Sequence, residues 1–283
     1  MPTYRLTVAY DGTDFHGWAV QPGLRSIALD LAKALSVPAE TLTVAGRTDK
    51  GVHATGNVVS LRAPRLRPVR AVNRRLPPDI ALLGCEAAAD DFDARAHARS
   101  RSYTYRIATG ERPDPFRARY ELHRHRRRAL DEEALQACAA AIVGRHDFRA
   151  FTPTQTKHVF FERTVLAADW RRDGDRLEFH ITADALLRHM VRVLVGTMLE
   201  TPDPAHLARL VTGAHRSEAG RTAPPHGLTL TSVTYESTVV RPTGSDPFWR
   251  TVNNRCQALN IHSSRAPAAS KASSLAAAQG EAG

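Results

Sequence analysis

The sequence predicts an α+β fold in two roughly equal halves with antiparallel pairing. Strands and helices are mixed without the steady strand–helix alternation of a parallel sheet, and several neighbouring strands are joined by hairpin-sized turns. A second set of elements also begins near the middle of the chain.

In the first half, Tyr4, Leu6, Val8 and Tyr10 alternate with Arg5, Thr7 and Ala9, which predicts a half-buried strand ended by Asp11-Gly12. After Ser26, a suitable N-cap, Ile27, Leu31, Ala34 and Leu35 recur at helical spacing until Pro38. Thr41–Ala45 and Asn57–Leu61 read as strands joined by a polar loop, Val69–Leu76 as a short helix stopped by Pro77-Pro78, and Ile80–Cys85 as a strand. Alternation returns over Arg99–Ala108, with Tyr103, Tyr105 and Ile107 on one face.

In the second half, Leu130–Val143 reads as a helix. Asp131, Glu132 and Glu133 suit its N-terminal dipole and Gly144 closes it. Thr164–Trp170 and Arg176–Thr182 form a hairpin pattern turning at Asp173-Gly174. Leu186–Leu199 is an apolar helical run that places Arg188 and Arg192 four apart on one face, and Leu228–Tyr235 is a last strand. From Ser263 onward the chain is rich in Ala and Ser without aromatic or β-branched residues, the composition of a disordered tail.

Composition narrows the function. The chain has 283 residues, 42% hydrophobic and 24% charged, enough to bury a core and far from collagen-like or coiled-coil composition. Lys and Arg outnumber Asp and Glu by 39 to 29, a net charge of +10 that favours a phosphate-bearing partner, nucleic acid before an anionic membrane. The most apolar stretch, Met190–Leu199, contains Arg192 and is far short of bilayer length, so no membrane span is expected. The first residues alternate instead of forming a signal-peptide core. Three scattered cysteines, Cys85, Cys138 and Cys256, suit neither a disulfide framework nor a zinc site and point to a reducing cytoplasm.

The loop from Ala45 to Asn57 concentrates functional groups. Gly46, Gly51 and Gly56 permit tight backbone paths, and Arg47, Thr48, Asp49, Lys50 and His53 lie between them. A plain strand connection turning at Asp49-Lys50-Gly51 accounts for the glycines, but the loop is longer and more polar than a turn requires.

The segment Gly46-Arg47-Thr48-Asp49-Lys50-Gly51-Val52-His53-Ala54 closely resembles the signature of TruA-type tRNA pseudouridine synthases. Further motifs resemble that family in its order: Tyr10-Asp11-Gly12-Thr13-Asp14-Phe15-His16-Gly17-Trp18, Leu76-Pro77-Pro78-Asp79-Ile80, Asp91-Phe92-Asp93-Ala94-Arg95, Tyr103-Thr104-Tyr105, His146-Asp147-Phe148, Arg163-Thr164, His189-Met190-Val191-Arg192 with Gly196, and Pro225-His226-Gly227-Leu228. The resemblance covers residues 4 to 236.

It implies two ferredoxin-like halves, 1–104 and 105–240, joined through a continuous, mainly antiparallel sheet, with helices on one side and the active cleft between the halves. Residues 241–283 would be a C-terminal extension, disordered from about 263. The implied activity is isomerisation of uridine to pseudouridine at positions 38, 39 or 40 of the tRNA anticodon stem-loop, by a cytoplasmic homodimer without a cofactor. By the same resemblance Asp49 is the catalytic aspartate, Tyr103 stacks at the target base, Arg192 pairs with the aspartate and Arg47 is the active-loop arginine.

Those residue types suit the chemistry. An isomerase must break the N-glycosidic bond, turn the uracil and rejoin it through C5, with no net oxidation or hydrolysis. One ionised carboxylate can attack the sugar or remove a sugar proton, and an aromatic platform offsets part of the cost of unstacking the base. The run His123-Arg124-His125-Arg126-Arg127-Arg128 is the densest basic stretch and is expected to touch phosphates. His16, His97, His158, His180 and His215 lack ligand spacing and read as structural or surface residues. A tRNA-binding protein without chemistry is disfavoured by Asp49, and a two-carboxylate glycosidase or metal-dependent nuclease by the lack of a second paired acid. The family's usual Gln and Glu in the first helix are replaced by Ala28 and Ala32, and its Gln after Trp18 by Ala19, which bears on tRNA choice.

Overall fold

The computed structural model describes residues 1–124, 130–156 and 158–236. The tail beyond 236, with Cys256, and the core of the basic run, 125–129, lie outside the described residues. The alternating N-terminal segment forms β1 (Thr3–Tyr10), with Leu6, Val8 and Tyr10 buried. Helix α1 (Ile27–Leu35) follows, buried through Ile27, Leu31, Ala34 and Leu35. It ends at Ser36, which takes the left-handed conformation before Pro38 is reached. The first strand of the polar loop is only β2 (Thr43–Val44), whereas the second, β3 (His53–Arg62), is longer than its apolar pattern. Then come α2 (Val69–Asn73), β4 (Ile80–Ala88) and β5 (Ser100–Ala108).

Strand β6 (Leu122–His123) leads to α3 (Glu132–Ala141), whose N-cap Asp131 accepts a hydrogen bond from the Ala134 amide at 2.9 Å. After β7 (Gly144–Asp147), the hairpin of β8 (Glu162–Asp173) and β9 (Arg176–Ala183) turns at Asp173-Gly174 as predicted. Helix α4 (Met190–Glu200) starts four residues later than its apolar run, because His189 has φ 63° and ψ 0° and the right-handed helix begins only after it. Arg188 therefore precedes the helix and does not share a face with Arg192. Helix α5 (Pro204–Leu210), capped by Asp203 with proline at its first turn, is followed by β10 (Leu228–Thr234).

All ten described strands belong to one sheet, with β4-β1-β3-β10-β5-β9-β8-β7 in order and β2 and β6 beside β3 and β5. Its pairs are antiparallel except β3–β10 and β5–β6. The last described strand is thus inserted at the centre, parallel to β3 and antiparallel to β5. It joins the strands of the first half to those of the second. One continuous apolar core runs beneath both, including Leu6 and Val59 on one side and Tyr105, Phe179 and Val193 on the other. No described helix is long and apolar enough to cross a membrane.

Candidate active site

The junction around β10 positions the polar loop. Leu230 on β10 stands opposite Ala54 on β3 and Tyr103 on β5, so the base of the loop and the tyrosine are brought to one place. Gly46 allows this approach: a Cβ there would meet Leu230 Cδ1 at 2.8 Å and the Tyr103 hydroxyl at 3.2 Å.

Hydrogen bonds from three directions fix the loop. The Ala45 amide donates to Val58 O at 2.9 Å, the Val52 amide to Asp49 O at 3.1 Å, and the Trp18 amide to Thr48 O at 3.0 Å. Asn57 donates through Nδ2 to Gly46 O (2.8 Å) and to the Tyr10 hydroxyl (3.0 Å), which leaves Tyr10 free to donate to Thr48 Oγ1 at 2.8 Å. Burial pushes the Tyr10 phenol up to about 12, so it stays a donor at neutral pH. Arg101, almost fully buried, spreads its guanidinium over the carbonyls of Ala45, Arg95, Ala98 and Asp184, at 2.6–3.2 Å. The planar fork of arginine suits this five-way tie, which ties the start of the loop to the chain on both sides of β5.

Asp49 projects from this loop with 28% of its side chain exposed. Its Oδ2 lies 3.5 Å from Arg192 Nη1 and 3.5 Å from His189 Nε2. Arg192 is held in turn by donating from Nε to Ala223 O at 2.8 Å, while the Ala223 amide donates to Arg192 O at 3.0 Å. Helix α4 can come this close to the 221–223 strand of chain only because residue 196 is glycine: a Cβ there would lie 1.8 Å from Arg221 O. Burial lowers the pKa of Arg192, with Asp49 opposing the shift, and it lowers that of His189 below 6.5, so the imidazole is neutral at pH 7. Burial also raises the Tyr103 phenol well above its ordinary value, which keeps it protonated.

These residues line a cleft of about 1100 Å³, room for a nucleoside and its flanking phosphates. Arg47, Lys50, Arg95, Arg163 and Arg188 also face it, so Asp49, the one carboxylate among its described lining residues, sits among cations. Of the four residues singled out from the sequence, Asp49, Arg192 and Tyr103 come together around the loop, and Arg47 is exposed at the cleft. His189 and Arg101 were not singled out. The first stood in a quoted motif, but its contact depends on a left-handed backbone; the second acts through carbonyls that no local pattern reveals. His16 and His158 line the cleft as well. Among the described residues no group of three His, Cys, Asp or Glu side chains could hold a metal ion.

An α+β sheet carrying a lone carboxylate in an arginine-lined cleft fits a family that acts on nucleic acid, and comparison with known proteins specifies which. Residues 138–236 match the family model described as tRNA pseudouridine synthase. The chain is 37% identical over 246 residues to tRNA pseudouridine synthase A of Bacillus licheniformis, covering 82% of this chain and 99% of that protein. It is 36% identical to tRNA pseudouridine synthase A of Bacillus subtilis over the same shares. The counterpart of Myxococcus xanthus is 39% identical over 248 residues, 83% of this chain and 92% of that one. A solved Cbf5-Nop10-Gar1 complex is similar over 80% of this chain and 48% of that chain, at 12% identity and a TM-score of 0.37. The chain belongs to the tRNA pseudouridine synthase A family.

Proposed function

We propose that this chain isomerises uridine to pseudouridine in tRNA, at position 38, 39 or 40 of the anticodon stem-loop, with Asp49 as nucleophile or base. The observation that carries the reading is the Asp49 carboxylate 3.5 Å from both Arg192 and His189 in a nucleotide-sized cationic cleft.

The target uridine is flipped out of its stem-loop into the cleft and stacks on Tyr103, while Arg47 and its neighbours take the flanking phosphates. Asp49 either attacks C1′, expelling uracil as its N1 anion, or removes the C2′ proton so that a glycal forms as uracil leaves. The base turns and C5 bonds to C1′, displacing the Asp49 carboxylate from C1′ in the first route or with protonated Asp49 returning the proton to C2′ of the glycal in the second. The C5 proton is then lost to solvent and N1 takes up a proton, which leaves the overall composition unchanged and Asp49 regenerated. Arg192 holds Asp49 directed at the sugar, a preorganised charge that needs no rearrangement during reaction. In this reading the halves 1–104 and 105–240 each supply a wall of the cleft, and the working unit is a cytoplasmic homodimer, which sedimentation equilibrium tests.

The decisive experiment is tritium release from unmodified tRNA transcripts carrying C5-tritiated uridine, comparing the wild-type chain with Asp49→Ala. Wild type should release tritium, and Asp49→Ala should release it at least about 10³-fold more slowly. Release that survives the substitution would remove Asp49 from the chemistry, and no release by wild type from a full tRNA pool would reject the activity.

A further inference from the structure

Between the end of β3 and the start of β4 the chain reads Arg62-Ala-Pro-Arg65-Leu-Arg67-Pro-Val-Arg70-Ala-Val-Asn-Arg74-Arg75-Leu76, six arginines without a carboxylate. All six are exposed. Two have structural tasks: Arg62 donates to Asp90 O at 2.8 Å, and Arg75 donates to Ser36 Oγ (2.8 Å) and Lys33 O (3.2 Å), closing the C-terminal end of α1. The side chains of Arg65, Arg67, Arg70 and Arg74 have no hydrogen-bond or carboxylate partner among the described residues.

Folding gives no reason for this concentration of charge. Arg70 and Arg74 lie one turn apart at α2, where like charges repel. The apolar side of that helix is already used by Val72, which is fully buried as α2 packs on α1 and β4. None of Arg65, Arg67, Arg70 and Arg74 lines the cleft around Asp49, and α2 packs on β4, which β1 separates from β3 in the sheet. A base held against Asp49 therefore leaves these arginines to meet a different part of the same polyanion.

We propose that Arg65, Arg67, Arg70 and Arg74 form a second RNA-binding surface that grips the phosphate backbone of the substrate tRNA outside its anticodon arm. The proposal rests on the tRNA reading above and assigns the surface that selects a whole tRNA over an isolated stem-loop. Contacts of this kind are electrostatic, indifferent to base identity and steeply dependent on salt.

The test compares Kd over a salt series for a full-length tRNA transcript and for its anticodon stem-loop alone. It uses wild type and the quadruple variants Arg65→Ser/Arg67→Ser/Arg70→Ser/Arg74→Ser and Arg65→Lys/Arg67→Lys/Arg70→Lys/Arg74→Lys, each with a thermal melt to show retained folding. The serine variant should bind full-length tRNA about tenfold or more weakly, with the log Kd against log salt slope reduced by about 3, while its stem-loop affinity and stem-loop isomerisation stay at wild-type levels. The lysine variant should keep tRNA affinity and slope, because the contact reads charge. Unchanged tRNA binding by the serine variant, or an equal loss on tRNA and stem-loop, would overturn the second surface and leave the catalytic reading intact. Loss confined to phosphatidylserine vesicles would overturn it in favour of a membrane. Failure of wild type to bind either RNA would remove the tRNA reading together with this one.

Discussion

Asp49 faces two partners of different character. Arg192 carries a permanent charge and is itself tied to Ala223 O, whereas His189 is neutral because burial outweighs the pull of the carboxylate. Arg192→Lys keeps the charge but loses the fork that reaches both Asp49 and Ala223 O. It should lower kcat by about 10²-fold, because a charge no longer anchored at Ala223 O is no longer preorganised against Asp49, with little change in thermal midpoint. At Tyr103 the ring and the hydroxyl separate cleanly. On the proposed stacking role, Tyr103→Phe should bind tRNA normally, while Tyr103→Leu should weaken binding by about 1–3 kcal/mol, read in KM. The polar loop that carries Asp49 and Arg47 was legible as a candidate site because its residues are contiguous in sequence. The role of Arg101 was not, since its carbonyl partners come from residues 45, 95, 98 and 184. Arg101→Met should leave those carbonyls unpaired and destabilise the fold by about 3 kcal/mol in urea titration.

Among the elements, α4 does the most positioning, and its placement depends on Gly196. With Arg221 O where a Cβ would go, Gly196→Ala should force α4 off the 221–223 segment and cost about 2 kcal/mol or more of stability. Because Arg192 lies one turn before Gly196 on the same helix, the variant should also lose isomerase activity beyond its loss of folded protein, which normalising turnover to the folded fraction will show. Hydrophobic periodicity located this helix but misjudged its start. Leu186 and Leu187 continue the apolar pattern although His189, in its left-handed conformation, interrupts the backbone between them and Met190. Periodicity reports which side chains are buried, not whether consecutive residues bury them in one helix. The short β2 shows the same limit: Leu42 and Ala45 are buried without belonging to a strand.

At the scale of the molecule, among the described residues burial lowers the pKa of five histidines, His53, His158, His180, His189 and His226, below the ordinary 6.5. A histidine that is harder to protonate when folded gives the unfolded chain the greater proton uptake, so its stabilising contribution is present above pH 6.5 and is lost as pH falls through the folded-state values. The thermal midpoint should therefore hold from pH 8 to 7 and decline below about 6.5, with part of that slope removed in His53→Gln. His53 is a sensitive probe, since its ring joins the Gly12 amide (3.0 Å) to the His226 carbonyl (3.1 Å), two segments far apart in the chain. The α+β class and the hairpin of β8 and β9 were legible because they are local. The order of the sheet was not. Nothing in the pattern of Leu228–Thr234 distinguishes a central strand from an edge strand, because both alternate or run apolar when one face is covered.

That central seat for β10 has a consequence for synthesis on the ribosome. A nascent chain that has not yet released residues 228–234 from the exit tunnel holds two partial sheets, one ending in β3 and the other in β5, each with an open row of backbone donors and acceptors. The two can be zipped together only after every other described strand has been made, so the cleft is assembled by the last of the described strands. Messages cut before the codon for Leu228 should accordingly yield insoluble product, and supplying the missing strand as a peptide during refolding should recover solubility.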